Sequence, residues 1–381
     1  NCPIIDIELE NILRKLRSDL LLSCDSVNFD KKTIYFLSKL GLQCFINEFV
    51  YNINEDENNA LNKLEYLVEL SISKGLQPNI QYILCIATYK ALFKFDWIHS
   101  FKLDDSISNI YNMQVYEPLE EKSLKFKIPM LNDVTNKISS KVKSQYEKYP
   151  YPRWVNTNLA LKPLPISNIM KQIGLRINDK SIYIKKDPKI LVAGCGTGQQ
   201  SISIASRFKN SNVTAIDISL SSLAYAKRKT QELNLKNIKY LQADILDLDK
   251  LEIEFDIAQC VGVLHHMEDP IAGLKKIVDR LKVGGLIKIG LYSKSSRKDI
   301  IKLRESFNKS CLNPNESKMK LLRFELINSS NDDYKHIIRS KDFYNLSSVK
   351  DLIFHVNEHV FTIPQISNYL KQLGLIFCGF E

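Results

Sequence analysis

Two short stretches of this chain carry the residues best suited to chemistry. Lys189 to Gln200, KILVAGCGTGQQ, runs an apolar strand into glycines at alternate positions, Gly194, Gly196 and Gly198. Glycine lets the backbone turn sharply off a strand and approach a ligand closely, and the helix that follows offers unpaired N–H groups to a polar edge. Val213 to Ile216 then reads as a second buried strand ending on Asp217, where a carboxylate can accept both hydroxyls of a ribose. The spacing implies a nucleoside. It departs from G-x-G-x-x-G because the third glycine comes one residue early, so a pyrophosphate fits less well. The second stretch, FDIAQCVGVLHH, ends a fourth strand in His265 and His266. Ligands sit at the carboxyl edge of open α/β sheets, which makes either imidazole a candidate acid or base, against packing and loop geometry as the plainer role.

The elements that must position these residues follow in order. Tyr240 to Asp244, YLQAD, gives a third strand ending in an acid, and Leu281 to Tyr292, LKVGGLIKIGLY, gives a Gly-Gly turn into a fifth apolar strand. The five blocks, across roughly residues 185–293, resemble the class I S-adenosylmethionine-dependent methyltransferases. The resemblance implies an α/β, Rossmann-like, doubly wound and mostly parallel sheet, with S-adenosyl-L-methionine as cofactor. It implies that Gly194, Gly196 and Gly198 line the methionine part, with Ala193 and Cys195 also at the cofactor, and that Asp217 binds the ribose. Ile218 and Ile245 would sandwich the adenine, while Asp244 with the Ile245 backbone meets its amino edge. Val192 stands where many members carry an acid, so the cofactor's amino group needs another partner: the carbonyl of Gly194 or Cys260, or an acid from the N-terminal segment.

A chain of 381 residues suits two domains. The formal charge of +10 and pI near 9.0 invite a nucleic-acid partner. Joint enrichment in Lys, Asn, Ile, Tyr and Phe explains much of that charge by codon drift, and no RNA-binding module is evident, so nucleic acid stays open without being favoured. The densest basic run, Lys294, Arg297, Lys298, Lys302 and Arg304, reads as a solvated helix face in preference to a contact for an acidic substrate. No apolar run reaches about 18 residues and nothing resembles a signal peptide, which points to a cytoplasmic protein without a membrane partner. Eight dispersed cysteines without a C-x-x-C pair read as buried reduced thiols.

Residues 1–125 read as a helical domain, with an apolar stripe at Leu61, Leu64, Val68 and Ile72, a capping box at Asn54 and Glu57, Gly75 as a stop, and Pro78 in the next helix's first turn. A second helix is expected over Lys31–Asn52, and a tetratricopeptide-like array remains open. Residues 126–184 form a linker and possible aromatic lid, in which Tyr146, Arg153 and Trp154 either touch cofactor or substrate or clasp the linker to the core. Its Y-x-x-x-P-Y-P-R-W pattern is similar to that of bacterial methyltransferases with a helical N-terminal extension. Residues 185–381 complete the methyltransferase domain, with a helical insertion at about 294–362 and a sixth strand over Leu375–Glu381. The fold's seventh strand has no sequence to form it, and Asn1 in place of Met suggests a fragment truncated at both ends. Glu268 and Asp269 are read as helix caps. His355 and His359, four apart, could share a helix face, but no third ligand at convincing spacing supports a metal.

The functional expectation is methyl transfer to an acceptor that the sequence does not name, with a small molecule preferred over protein or RNA and a protein partner open to the helical domain. The alternatives are a catalytically silent cofactor-binding scaffold and, less favoured, an NAD-dependent oxidoreductase.

Overall fold

The computed structural model describes residues 3–100, 107–157, 159–160, 162–307 and 314–381. Cys2 and Cys311 fall outside that set. The chain forms two compact units, residues 1–120 with 307–354, and residues 121–306 with 355–381. That division differs from the expected 1–125, 126–184 and 185–381.

The first unit is helical. Its helices include Ile7–Ser23, Lys31–Ile46, Glu55–Ser73 and Ile80–Ala87, with Asp6, Asp30, Asn54 and Asn79 each accepting a hydrogen bond from the first turn they cap. Asn54 and Glu57 form the expected capping box. Leu61, Leu64 and Val68 are buried together with Leu21, Leu37 and Ile83, as their spacing requires. Two boundaries move. The second helix stops at Ile46 because Glu48 and Phe49 turn to positive φ, and Pro78 precedes the Asn79 cap, outside the first turn. Most of the expected 294–362 insertion belongs here: the helix Glu316–Ile327 buries Arg323, which donates to both Glu10 carboxylate oxygens at 2.5 and 2.6 Å and to the Phe343 carbonyl at 2.6 Å. Removing one partner of such a buried pair costs about 3–5 kcal/mol, because the other charge is left uncompensated.

The second unit holds a five-stranded parallel sheet: β1 (Lys189–Ala193), β2 (Asn212–Asp217), β3 (Ile238–Gln242), β4 (Phe255–Val261) and β5 (Leu281–Gly290), in the order β3-β2-β1-β4-β5. Alternate residues serve opposite faces. Ile190, Val192, Val213, Ala215 and Ile257 join one core, and Leu191, Ala193, Ile216, Ala258 and Cys260 the other. Burial on both faces is why these strands read as unbroken apolar runs. Strand order reverses at β1, the switch point beyond whose carboxyl end ligands bind in open α/β sheets. Leu375–Glu381 forms no strand, contrary to expectation: no ladder joins it to the sheet, and a lone extended segment lacks the pairing that stabilises a strand. No helix among the described residues is long and apolar enough to cross a membrane.

Candidate active site

The glycine turn leaves β1 with left-handed backbone at Gly194 (φ +70°), Gly196 (φ +52°) and Gly198 (φ +86°). A Cβ on Gly196 would lie 2.6 Å from the Tyr151 carbonyl oxygen, and one on Gly194 would lie 2.4 Å from Val263 Cγ2, so neither position accepts a side chain. The turn is tied to β2. Gly194 and Cys195 N–H groups donate to the Ile216 carbonyl at 2.9 Å each, and Gly196 N–H donates to Asp217 Oδ2 at 2.8 Å. Ser219 N–H donates to Asp217 Oδ1 at 2.9 Å. Burial pushes the Asp217 carboxyl up to about 6; the Ser219 and Gly196 N–H groups pull it down, and the Glu147 charge adds to the rise.

The residues that the sequence places on the adenine side lie at the ends of β2 and β3. Asp244 is buried and accepts from Leu246 N–H at 3.0 Å, capping a short 3₁₀ turn, while Ile245 is buried and Ile218 half-buried. Ala193, Cys195 and Cys260 are buried, and burial raises both thiols, Cys260 to about 12, so neither is a nucleophile at neutral pH.

The aromatic segment lies against the turn. Thr197 Oγ1 donates to the Pro152 carbonyl, Trp154 Nε1 donates to the Thr197 carbonyl at 3.2 Å, and Tyr225 OH donates to the Trp154 carbonyl. The Trp154 ring meets Tyr225 edge to face at 5.9 Å and packs with Ile202, while the Arg153 guanidinium lies 5.9 Å over Tyr225. Tyr146 instead reaches His355, its hydroxyl 3.2 Å from Nε2. Sequence reasoning did not single out Glu147, which follows Tyr146. Its carboxylate accepts from Leu220 N–H, from Ser221 Oγ at 2.7 Å and from Lys125 Nζ at 3.2 Å. The one signal was Val192 in place of an acid, for which an acid from the N-terminal segment was one of three alternatives beside the Gly194 and Cys260 carbonyls.

His265 and His266 come together in a layer of rings after β4. His265 stacks on Tyr292 at 3.9 Å and meets His266 at 4.2 Å, and His266 stacks on His355 at 3.4 Å. Burial pushes His265 down to about 2 and His266 to about 3, with the Arg297 charge adding to the fall in both, and His355 lies well below the usual range for the same first reason. All three rings are therefore neutral near pH 7. His266 Nδ1 must donate to the Asn357 carbonyl, 2.8 Å away, because a carbonyl only accepts. Asn357 returns two bonds to the His266 and Met267 carbonyls. Both ring nitrogens of His265 are buried and have no partner among the described residues.

Three expectations are corrected around this layer. His355 and His359 share no helix face, because the preceding helix ends at Phe354. Arg297 is no solvated residue: it is buried, donates bidentately to Glu358 and lies 4.1 Å over the Tyr292 ring, while Lys294, Lys298 and Lys302 are exposed as expected. Only Asp269 caps the helix Pro270–Val278, since Glu268 accepts from Asn136 Nδ2.

Comparison with known proteins places this geometry. Residues 190–285 match the family described as a methyltransferase domain. The chain is 39% identical over 120 residues to an uncharacterised protein of Synechococcus sp., which covers 31% of this chain and 29% of that one. It is 35% identical over 104 residues to (S)-coclaurine N-methyltransferase of Papaver somniferum, covering 27% of this chain and 29% of the relative. It is 33% identical over 132 residues to ubiquinone biosynthesis O-methyltransferase of Coxiella burnetii, covering 35% and 53%. The chain thus spans between about a third and about half of the length of these relatives. Among solved structures, PKMT2 from Rickettsia typhi aligns at 16% identity and a TM-score of 0.39, over 62% of this chain and 41% of that one. The second unit thus contains a methyltransferase domain, residues 190–285, on a β3-β2-β1-β4-β5 sheet with the Rossmann-like order of the class I S-adenosylmethionine-dependent methyltransferases.

Proposed function

We propose that this protein transfers the methyl group of S-adenosylmethionine to a small-molecule acceptor. The observation that carries the reading is Asp217: a buried carboxylate at the carboxyl end of β2, bonded to the glycine turn through Gly196 N–H, at the switch point where the strand order reverses. Its two oxygens each hold one backbone donor and keep lone pairs for two ribose hydroxyls. Asp244 and the Ile218 and Ile245 side chains line the adjacent strand end, where an adenine would lie, so the residues fit the cofactor. When bound, the sulfonium supplies an already activated methyl group.

Positioning then carries most of the catalysis, with reacting atoms held about 3–3.5 Å apart and water excluded. His265 fits this task better than proton abstraction. It is neutral, and a ring pushed down to about 2 is a weak base, but its two unpartnered nitrogens can orient an acceptor hydroxyl or amine by hydrogen bonding. His266 is committed to the Asn357 carbonyl and supports His265. Trp154 and the backbone around Pro152 hold the turn in place, which favours the clasp role for this segment, and Tyr146 flanks the ring layer through His355. The preference for a small acceptor is supported by relatives whose names specify coclaurine and ubiquinone biosynthesis. The free thiols among the described residues, five of them buried and Cys378 half-buried, fit a cytoplasmic location.

The test is incubation with methyl-labelled S-adenosylmethionine and fractionated cell extract. Label in the small-molecule pool is expected. Label confined to protein or RNA overturns the acceptor class, and tight cofactor binding without transfer to any pool would favour a silent scaffold, to which Val192 in place of an acid gives some support.

A further inference from the structure

Glu147 sits outside the sequence blocks that define the cofactor site, yet it is wired into them. Its helix, Lys137–Lys148, precedes the sheet, and its carboxylate accepts from Leu220 N–H and from the Ser221 hydroxyl at 2.7 Å, at the start of the helix Leu220–Glu232 that follows Asp217. The Ser221 hydroxyl is also 2.8 Å from the Glu147 backbone carbonyl. Lys125 completes the cluster, its Nζ 3.2 Å from Glu147 Oε2 and 2.5 Å from Ser221 Oγ. Oε1 accepts from both the Leu220 and Ser221 N–H groups and Oε2 from the Ser221 hydroxyl and Lys125, so the carboxylate has little capacity left as a direct ligand for the cofactor's amino group. Its position and charge are what reach the site.

Resting on the methyltransferase reading above, we infer that Glu147 is a positioning residue: it fastens the pre-sheet helix to the loop after β2, and its fixed negative charge sets the proton affinity of the ribose-binding Asp217, with Lys125 as the opposing charge. Among the described residues, the groups that act on Asp217 are the Cys195 thiol on the glycine turn, the Gly196, Ile218 and Ser219 N–H groups, and the Glu147 carboxylate. Burial raises the Cys195 thiol, so it stays neutral while Asp217 titrates. Burial also pushes Glu147 up, but the Ser221 hydroxyl, Lys125 and Leu220 N–H outweigh it and hold the group below the usual glutamate range. Glu147 is therefore an anion throughout the range in which Asp217 gains its proton, near 6.

The signs follow. Ribose hydroxyls donate to the ionised carboxylate, so affinity should weaken as pH falls through the free-protein pKa of Asp217. Removing the neighbouring anion lowers that pKa and moves the loss of affinity to lower pH. Removing Lys125 leaves the anion unopposed and moves it to higher pH.

The experiment is calorimetric titration of the whole chain with 5′-methylthioadenosine from pH 5 to 8. This probe keeps the ribose and adenine but lacks the amino acid groups that would titrate themselves. Glu147→Gln still lets an amide oxygen accept from Leu220 N–H, and its midpoint should shift at least about half a pH unit to the acid side; Lys125→Met should shift by a similar amount to the alkaline side. A purely structural role would weaken binding in both variants without opposite shifts, and that result overturns the inference, as does a wild-type affinity independent of pH. If Glu147→Gln fails to fold, Lys125→Met decides alone, because it leaves Glu147 in place. Failure of the wild-type protein to bind either 5′-methylthioadenosine or S-adenosylmethionine would instead sink the underlying reading of the site.

Discussion

The end of β2 and the ring layer after β4 are both buried, and burial drives their ionisable groups toward the neutral form. At Asp217 that means a carboxyl pushed up to about 6, and at His265 and His266 it means rings pushed down to about 2 and 3. What differs is the company. Asp217 faces backbone N–H donors that are ready for an anion and cost nothing to reorganise, whereas His265 has no polar partner for either nitrogen among the described residues. In one region each carboxylate oxygen already holds a backbone donor. The other leaves hydrogen-bonding capacity unspent, and buried polar atoms in that condition call for an explanation, which in the function proposed above is the acceptor.

The contrast can be broken most directly at Asp217. Two charge-assisted hydrogen bonds to the ribose contribute roughly 1.5–3 kcal/mol each, so Asp217→Ala should weaken S-adenosylmethionine binding by at least about a hundredfold. An unchanged calorimetric affinity would refute the ribose assignment. At the ring layer the expected loss is in turnover. His265→Ala should lower kcat roughly 10²-fold and leave cofactor affinity nearly intact, whereas His266→Ala should mainly cost stability. Full turnover in both variants on the identified acceptor would return the histidines to packing.

Stability against pH sharpens the same comparison. The histidines are depressed in the folded state, so their contribution is present above the unfolded value of 6.5 and drains away below it, by about 1.4 kcal/mol per pH unit for each ring. Asp217 is raised, so its contribution is present below the unfolded value of 3.8 and is lost as pH rises through about 6. Between these limits the two regions oppose each other and the rings, being more numerous, win. Tm should fall from pH 6.5 to 4.5, and more steeply in Asp217→Asn. A flat profile would mean that the rings are not held neutral. The smallest expected change is optical. With Trp97→Phe, Trp154 is the sole tryptophan, and its packing against Ile202 and Tyr225 predicts weak iodide quenching with or without cofactor. Strong quenching in the free protein alone would restore the lid.

Much of this was legible in the sequence because it is local. Strand β1 into alternate glycines, Asp217 at a strand end, and Asn54 with Glu57 all depend on neighbours within a few residues. Glu147 was not legible, since its partners Leu220 and Ser221 lie across a long stretch of chain and an acid beside Tyr146 has no periodic signature. Arg297 looked solvated for the same reason: Glu358, its counter-ion, comes from beyond the helical region. Leu375–Glu381 had strand composition, but composition cannot supply a ladder partner.

The Glu10–Arg323 pair has a consequence for how this protein is made. Because one carboxylate near the start of the helical unit waits for a guanidinium encoded after the entire sheet, that unit cannot finish folding in the order in which it leaves the ribosome. The sheet of the second unit, contiguous through β5, can close before that pair forms, so helices of the first unit that are made ahead of the sheet wait for their final partners. For the same reason a recombinant cut after residue 120 would strand Glu10 without its cation, and dissection of the helical unit requires splicing 307–354 back onto it.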